Sequence, residues 1–245
     1  MILRHIRALQ VQRDLYAMPR GMERFRAYIE TMRDETTGDL ALPLTAMNPM
    51  GKDHVPTLLD DYLALYAEGV AERAVAGAAG RLRDLAGDFQ TLLVIADDLK
   101  GGWTNRWASE FSHRFESHAM FKRGWIVGVL WTSEPASIQS VTDALATAIY
   151  RAASVARRGD GQTLGEMLDQ EGEAMAMAAL AGPVLDAEDV EYTRMVVGPL
   201  RGATDRATQV ACVFGDPAAR ALGYEPKGLS ERAGLALALH DARRT

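Results

Sequence analysis

The sequence holds only one cysteine, few aromatic residues and no long apolar run, and each shortage excludes a class of protein. Because Cys212 has no second cysteine to pair with, an internal disulfide framework and a cysteine-rich zinc site are both excluded. This usage is typical of a reducing compartment, so we expect a cytoplasmic location. Cys212 lies in the apolar run 210–214, which favours a buried structural thiol over a catalytic one.

The sequence also lacks the signals of a membrane or secreted protein. No apolar run reaches the roughly 18–20 residues that a membrane span requires. Arginines such as Arg4 and Arg7 interrupt the apolar residues near the N-terminus, so we expect no signal peptide.

Positive charge is in short supply over the chain as a whole. The net charge of −6 argues against a protein that binds nucleic acid through the phosphate backbone. Residues 1–33 are an exception, because seven arginines there outnumber three acidic residues and leave a local charge of +4. This stretch could contact an acidic partner, although a solvated arginine-rich face is the simpler interpretation.

What the chain does have is enough apolar material for a large core. Of its 245 residues, 48% are hydrophobic. Only 7% are aromatic, yet all four tryptophans lie between Trp103 and Trp131. We predict a single α/β domain over residues 1–245, with an N-terminal helical pair (1–33) and a helix-rich C-terminal half (134–245).

Two apolar runs beside this aromatic segment predict neighbouring strands. Thr91–Ala96 is short and continuously apolar, which is typical of a strand buried on both faces of a parallel sheet. Trp125–Trp131 is the second run. The residues between them predict a helix that ends near Phe121, and they are too many for a hairpin. A parallel pair joined by a crossover helix is therefore expected.

The remaining segments predict helices around a small sheet. The spacing of apolar residues predicts helices over residues 2–17 and 22–32, a strand over 40–47, and a strongly amphipathic helix from Val55. The composition of residues 208–214 favours a strand over a helix only slightly. The predicted fold class is α/β, with a small, mostly parallel sheet of three to four strands flanked by many helices.

Charged loops follow the predicted strands, and parallel strands place their carboxyl ends at one edge. The loops are 48–54, 97–106, 132–134 and, less directly, Gly215–Asp216. Ligands of open α/β sheets bind outside those ends. Helix N-termini follow the first three loops, and their N–H groups favour an anion.

Asp97, Lys100 and His54 are the candidate catalytic residues. One carboxylate could act as a base or bind a divalent metal, the lysine could neutralise charge on a substrate, and the histidine could move a proton. The metal, if one binds, is assigned to Asp97 and Asp98. The candidate ligand-binding residues are Asn48, Lys52, Trp103, Asn105, Arg106, Trp131, Thr132, Ser133 and Glu134.

Several recognisable motifs are incomplete. Asn48–Lys52 lacks the first glycine of a nucleotide P-loop, since Ala46 stands in its place. Glu110 and His113 have the spacing of half a di-iron site, but no second such pair is present. Ser133 lacks the glycines of a nucleophile elbow. His118 falls within the aromatic stripe of its helix, which predicts a core histidine.

Two main hypotheses about function remain, and a third is a helical redox or metal protein that uses Glu110, His113 and His118. The first is a cytoplasmic enzyme, a hydrolase or transferase, that binds a small phosphorylated or carboxylated metabolite at the sheet edge, with a divalent metal as an optional cofactor. The second is a non-enzymatic binding or assembly protein, acting as a homo-oligomer through its N-terminal or C-terminal helices. The leucine-rich last helix predicts either deep burial or such a subunit contact.

Overall fold

The computed structural model describes residues 1–99 and 104–244. Across these residues the chain forms three strands and twelve α-helices, with a short 3-10 turn at Gly198–Leu200. In chain order the elements are β1 (Ile2–His5), α1 (Leu9–Ala17), α2 (Met22–Met32), α3 (His54–Ala64), α4 (Ala67–Arg81), β2 (Asp88–Ala96), α5 (Arg106–Phe115), α6 (His118–Lys122), β3 (Trp125–Trp131), α7 (Ile138–Arg158), α8 (Leu164–Met177), α9 (Ala187–Val197), α10 (Arg206–Phe214), α11 (Asp216–Ala221) and α12 (Ala233–Ala242).

The chain forms two compact units, and each is assembled from two separate stretches. Unit 1 comprises Met1–Arg106 and Met120–Ala146. Unit 2 comprises Trp107–Ala119 and the chain from Thr147 onward. No helix in the described part of the chain is long and apolar enough to cross a bilayer.

Unit 1 contains the sheet, which is parallel throughout and has the order β1-β2-β3. Thr91 pairs with Ile126 and Ala96 with Trp131, so β2 and β3 run side by side to their ends. The six residues from Thr91 to Ala96 are all buried in the central strand. The α/β class, the strand at Trp125–Trp131 and its parallel pairing with Thr91–Ala96 are confirmed.

The strand β1 corrects the prediction of one helix over residues 2–17. Residues 2–5 pair with β2 from Asp88 to Thr91, and the helix begins only at Leu9. Apolar residues at positions 2, 6 and 9 satisfy a helical period, but pairing with the central strand decides the local structure. The N–H of Ile6 still donates to the carbonyl of Thr91 at 2.8 Å, and beyond this bond the side chain of Gln12 pairs with the backbone of Leu93 and Ile95.

The structure also contradicts two predictions of strands, over residues 40–47 and, where the preference was slight, over residues 208–214. Residues 40–47 form bends and turns, in which Leu44 and Met47 are fully buried as loop anchors. Residues 208–214 belong to α10, whose N-cap Asp205 accepts a hydrogen bond from the backbone N–H of Thr208 at 2.9 Å. This helix is buried on all sides from Gln209 to its end. Its sequence is therefore a continuous apolar run without a helical period, and such a run resembles a buried strand.

Each unit has its own apolar interior. In unit 1 the fully buried side chains of the sheet and its helices include Leu9, Leu59, Tyr62, Leu92, Leu93, Ile95, Ile126 and Leu145. In unit 2 the interior is formed by residues such as Phe111, Phe115, Leu164, Leu168, Met175, Val213, Phe214, Leu235 and Leu239. Because α12 buries its leucines inside unit 2, burial explains their pattern without a subunit contact.

An alternating chain of charges runs through the interior of unit 2. Glu171 is fully buried and accepts hydrogen bonds from Arg114 and Arg151. Arg114 also donates to Glu110 at 2.9 Å, and Glu110 accepts two hydrogen bonds of 2.7 Å from Arg232. Three guanidinium groups therefore enclose two carboxylates, which is how buried charges are compensated.

The histidines of α5 and α6 are arranged opposite to the prediction. His118 is half exposed and pairs with Asp160 at 2.9 Å, so the prediction of a core histidine is wrong. His113 is the less exposed of the two, and burial together with the charge of Arg151 lowers its pKa to about 4. The helix that was expected to continue to Phe121 ends at Phe115, and α6 is a separate turn.

Candidate functional site

The carboxyl ends of β2 and β3 carry several polar residues that lie within hydrogen-bond distance of one another. Asp97 follows the last residue of β2, and Thr132 follows the last residue of β3. The Thr132 N–H donates to the carbonyl of Ala96 at 3.1 Å, which holds the two strand ends in register. The loop before α3 reaches the same edge through Asn48 and His54.

Asp97 is the centre of this edge. It is 2% exposed, and its Oδ2 accepts from Asn48 Nδ2 at 2.8 Å. Its Oδ1 lies 2.7 Å from His54 Nε2, 3.2 Å from Thr132 Oγ1 and 3.3 Å from the N–H of Leu99. Four donors thus surround one carboxylate, which compensates a buried negative charge.

His54 has one partnered and one unpartnered ring nitrogen. An ionised carboxylate only accepts hydrogen bonds, so the contact with Asp97 places a proton on Nε2 of His54. Nδ1 is buried and has no hydrogen-bond partner within the described residues. In the neutral imidazole this nitrogen carries a lone pair, and leaving it unpaired costs about 1–3 kcal/mol. A bound hydroxyl group or water would remove that cost.

A tight turn holds Asn48 in place beneath Asp97. The Oδ1 of Asn48 accepts from the N–H of Met50 at 3.0 Å, so its amide is oriented with Nδ2 towards the carboxylate. The Tyr16 hydroxyl donates to the carbonyl of Asn48. Burial, together with the negative charge of Asp97, raises the pKa of Tyr16, so this hydroxyl keeps its proton. Gly51 closes the turn, since a Cβ there would lie 3.1 Å from the Tyr16 hydroxyl.

Asp98 forms a second cluster beside the first. Its carboxylate accepts from Thr132 Oγ1 at 3.0 Å, from the N–H and hydroxyl of Ser133 at 2.9 and 2.6 Å, and from Arg106 at 3.1 Å. Burial alone would raise the pKa of Asp98. The hydrogen bonds from Ser133, Thr132 and Arg106 outweigh it, and the pKa lies below its ordinary value.

Arg106 connects this cluster to the protein surface. Its guanidinium lies 4.1 Å from the centre of the Trp131 ring, a cation–π arrangement. Its Nη1 donates to Asp98 and to Ser133, and its Nη2 donates to Glu134 at 2.6 Å. The side chain of Asp98 is 3% exposed and that of Glu134 is 46% exposed, so Arg106 joins a buried carboxylate to a solvated one.

Thr132 joins the two clusters. Its single hydroxyl lies within hydrogen-bond distance of both Asp97 and Asp98 and also accepts from the N–H of Asp98 at 3.1 Å. Neighbouring residues on a strand point to opposite faces. Because β2 has ended at Ala96, both carboxylates reach the same hydroxyl.

Two of the helix N–H groups that the sequence suggested for anion binding already have backbone partners. At the start of α3, the N–H groups of Val55 and Thr57 donate to Lys52 and Asp53, and Pro56 has none. Cationic side chains are the better source of anion affinity. The side chain of Lys52 is exposed and makes no hydrogen bond or ion pair within the described residues.

The two aspartates do not fit a metal site. Protein donors already occupy the carboxylates of Asp97 and Asp98, and the cation Arg106 lies against the latter. Within residues 1–99 and 104–244, no three His, Cys, Asp or Glu side chains are grouped closely enough to hold a metal ion. No step of a reaction is therefore assigned to a metal.

Not every predicted site residue is found in these two clusters among the residues that the structure describes. Lys100 and Trp103 fall outside the described residues. Asn105 is exposed and immediately precedes α5. Gly215 and Asp216 belong to unit 2, where Asp216 accepts from the N–H groups of residues 227 and 229 at 2.9 and 3.1 Å.

Tyr16 and Gly51 contribute to the edge without having been predicted. Tyr16 lies within the predicted helix of residues 2–17, and its ring is buried as an apolar position would be. The helical pattern gives no information about the partner of its hydroxyl. Gly51 had a signal, because a glycine inside a Pro-Met-Gly-Lys loop predicts a tight turn.

A second histidine–carboxylate pair in unit 1 provides a comparison for His54. His5 Nε2 lies 2.7 Å from Glu68 Oε2, and its Nδ1 lies 3.0 Å from Thr91 Oγ1. Glu68 also accepts from the N–H of Leu9 at 2.8 Å. Both ring nitrogens of His5 thus have partners that fix β1. Of these two histidines, only His54 has a ring nitrogen without a hydrogen-bond partner in the described structure.

Comparison with protein-family models, with curated proteins and with solved structures finds no match to this chain.

Proposed function

We propose that unit 1 is the catalytic part of a cytoplasmic enzyme that hydrolyses or transfers a group on a small anionic metabolite, with His54 as general base. The observation that carries the proposal is the buried pair of His54 and Asp97, in which Nε2 is fixed and Nδ1 is unpartnered. Asp97 acts through the histidine, as a positioning residue.

The proton transfer follows from the orientation of the ring. Asp97 holds the proton of His54 on Nε2, so Nδ1 accepts a proton from a water molecule or a substrate hydroxyl as that oxygen attacks the carbonyl or phosphoryl centre of the metabolite. The bond from this centre to the leaving group then breaks, and the imidazolium of His54 returns the proton to the leaving group. The imidazolium that forms faces the Asp97 carboxylate at 2.7 Å. Asn48 and Thr132 keep the carboxylate in place throughout.

Support for an anionic substrate comes from the cations at the same edge. Lys52 is exposed, lies two residues before His54 and is unpaired within the described residues. Arg106 adds a second cation, held by Asp98 and Glu134. The single buried cysteine supports the cytoplasmic location.

The test begins with a thermal-shift screen of phosphorylated and carboxylated metabolites, followed by turnover assays on the ligands found and on p-nitrophenyl esters and phosphates. We expect His54→Gln to lower kcat by about 10²–10⁴-fold, the range for loss of a general base, while ligand binding persists. Nitrogen-15 NMR should show the neutral His54 ring protonated on Nε2.

His5→Gln is the matched control, because it removes the other buried histidine that pairs with a carboxylate. It should lower stability and leave kcat within a few-fold of the parent. Equal turnover by the parent and His54→Gln would refute the proposal. So would a neutral His54 protonated on Nδ1, since that nitrogen could then not accept a proton.

A further inference from the structure

The carboxylate of Glu134 binds the guanidinium of Arg106 in the position that the carboxylate of a ligand would take. Its Oε1 accepts from Nη2 of Arg106 at 2.6 Å, the short distance of a charge-assisted hydrogen bond. Within the described residues this is the one hydrogen-bonded or ion-paired partner of the Glu134 side chain, and 46% of the side chain is exposed. An exposed ion pair of this kind adds little stability and opens readily.

The guanidinium itself is held independently of Glu134. Arg106 is 17% exposed, it lies on the ring of Trp131, and Asp98 binds it from the buried side. Asp98 in turn accepts three further hydrogen bonds, from Thr132 and from the N–H and hydroxyl of Ser133. The cation would therefore keep its position if Glu134 swung into solvent.

We infer that unit 1 binds a carboxylate whose head group replaces Glu134 on Arg106, and that Glu134 is an internal competitor for this position. This inference rests on the proposed function only in that the ligand lies at this sheet edge. The ligand class is a carboxylate, and Glu134 regulates its binding.

The balance of charge favours a carboxylate over a phosphate. Arg106, Asp98 and Glu134 together carry a net charge of −1. Exchanging Glu134 for a singly charged carboxylate restores this value. A phosphate of about two negative charges would leave an excess charge beside the buried Asp98, which is unfavourable at low dielectric.

Internal competition predicts how affinity responds to mutation. If Glu134 occupies Arg106 most of the time, the measured affinity of a ligand is reduced by the fraction of molecules in which Arg106 is open. Glu134→Gln removes the competing charge and keeps the size of the side chain. We expect it to tighten binding of acetate, propionate or benzoate by about two- to sixfold, the gain that corresponds to releasing an exposed ion pair of ordinary strength.

The experiment is calorimetric titration of the parent and of Glu134→Gln with these three carboxylates and with inorganic phosphate. In parallel, NMR of the arginine side chains should show the Nε signal of Arg106 shifting as carboxylate is added. This second measurement locates the ligand without a substitution at Arg106, which could unfold the Asp98 cluster.

Asp88→Asn is the matched control, because Asp88 forms an exposed ion pair with Arg4 at 2.7 Å without a ring or a second carboxylate. It should gain no affinity. The inference is overturned by any of four results: no carboxylate binds Glu134→Gln, its affinity equals that of the parent, Asp88→Asn gains as much, or phosphate gains as much.

The inference and the proposed function fail separately. Unchanged carboxylate affinity in Glu134→Gln, with turnover still dependent on His54, would remove the inference alone. Tighter carboxylate binding in Glu134→Gln, with turnover independent of His54, would remove the general-base proposal and leave the carboxylate site.

Discussion

The side chain of Gln12 accepts a hydrogen bond from the backbone N–H of Ile95 at 3.0 Å and takes the place of a missing strand residue. Its amide nitrogen donates to the carbonyl of Leu93 at 2.9 Å. Both backbone groups lie on the edge of β2 that faces β1, and β1 ends at His5. One side-chain amide therefore provides the donor and acceptor of a peptide group, which the edge of a buried strand requires.

Replacing Gln12 by leucine should destabilise the protein by about 2–5 kcal/mol, because two buried backbone groups would lose their partners at about 1–3 kcal/mol each. Urea denaturation would measure the change. Gln10→Leu is the control on the same helix, since Gln10 is exposed and bonds only to Asp14 at 2.7 Å. Equal effects of the two substitutions would show that Gln12 does not complete the sheet edge.

Glu171→Gln should destabilise the protein by about 3–5 kcal/mol, the usual cost of removing one member of a buried charge group. Glu171 is fully buried between Arg114 and Arg151, and an amide cannot compensate two guanidinium charges. Glu173→Gln is the control two residues later, where a 35% exposed carboxylate pairs with Arg158. That change should cost less than about 1 kcal/mol. Similar midpoints in urea for both variants would contradict the prediction.

Stability should fall between pH 6.5 and about 4 because of His113. Burial first, and then the charge of Arg151, lower its pKa to about 4, while Glu110 partly opposes the shift. In this window the unfolded chain binds a proton that the folded chain does not, so the stabilisation is complete above pH 6.5 and is lost as the pH falls. At about 1.4 kcal/mol for each pKa unit, the loss approaches about 3 kcal/mol.

The measurement is urea denaturation at a series of pH values for the parent and for His113→Gln. The variant should lose the part of the pH dependence that lies above pH 4. His118→Gln is the control, since His118 is half exposed and should leave the slope unchanged. A slope that survives in His113→Gln would place its origin elsewhere.

Two helical glycines should respond to alanine in opposite directions. A Cβ at Gly172 in α8 would lie 2.4 Å from the carbonyl oxygen of Ala238 in α12, so alanine there should separate the two helices and cost about 1–3 kcal/mol. A Cβ at Gly77 in α4 would meet no atom within 4 Å, so alanine should stabilise by about 0.5–1 kcal/mol. Thermal denaturation of both variants gives the sign directly. Two changes of the same sign would contradict the helix contact.

The central strands were predictable because their signal is local. Thr91–Ala96 and Trp125–Trp131 are continuous apolar runs bounded by breakers, and a run of that length fits a strand buried on both faces. Once they were known to be parallel, the convergence of Asp97 and Thr132 at one edge followed from topology. His54 and Asn48 lie there as well, although the strand expected before them does not exist.

What could not be predicted depends on distant partners. The four residues of β1 become a strand only through pairing with β2, more than eighty positions away. The role of Gln12 and the hydroxyl contact of Tyr16 depend on polar atoms that face inward from apolar helix faces. In α10, burial of nearly every residue removed the helical period that would have identified it.

The interleaving of the two units sets the order in which the chain can complete them during synthesis. The α5 residues Glu110 and Arg114 emerge well before their partners Arg151, Glu171 and Arg232 are made. Unit 1 likewise waits for β3, which follows a stretch that belongs to unit 2. No single cut in the gene separates the two units, because residues 107–119 of unit 2 lie between the two stretches of unit 1. A truncation after residue 146 would keep Glu110 and Arg114 but remove Arg232, which neutralises Glu110 from the far end of the chain.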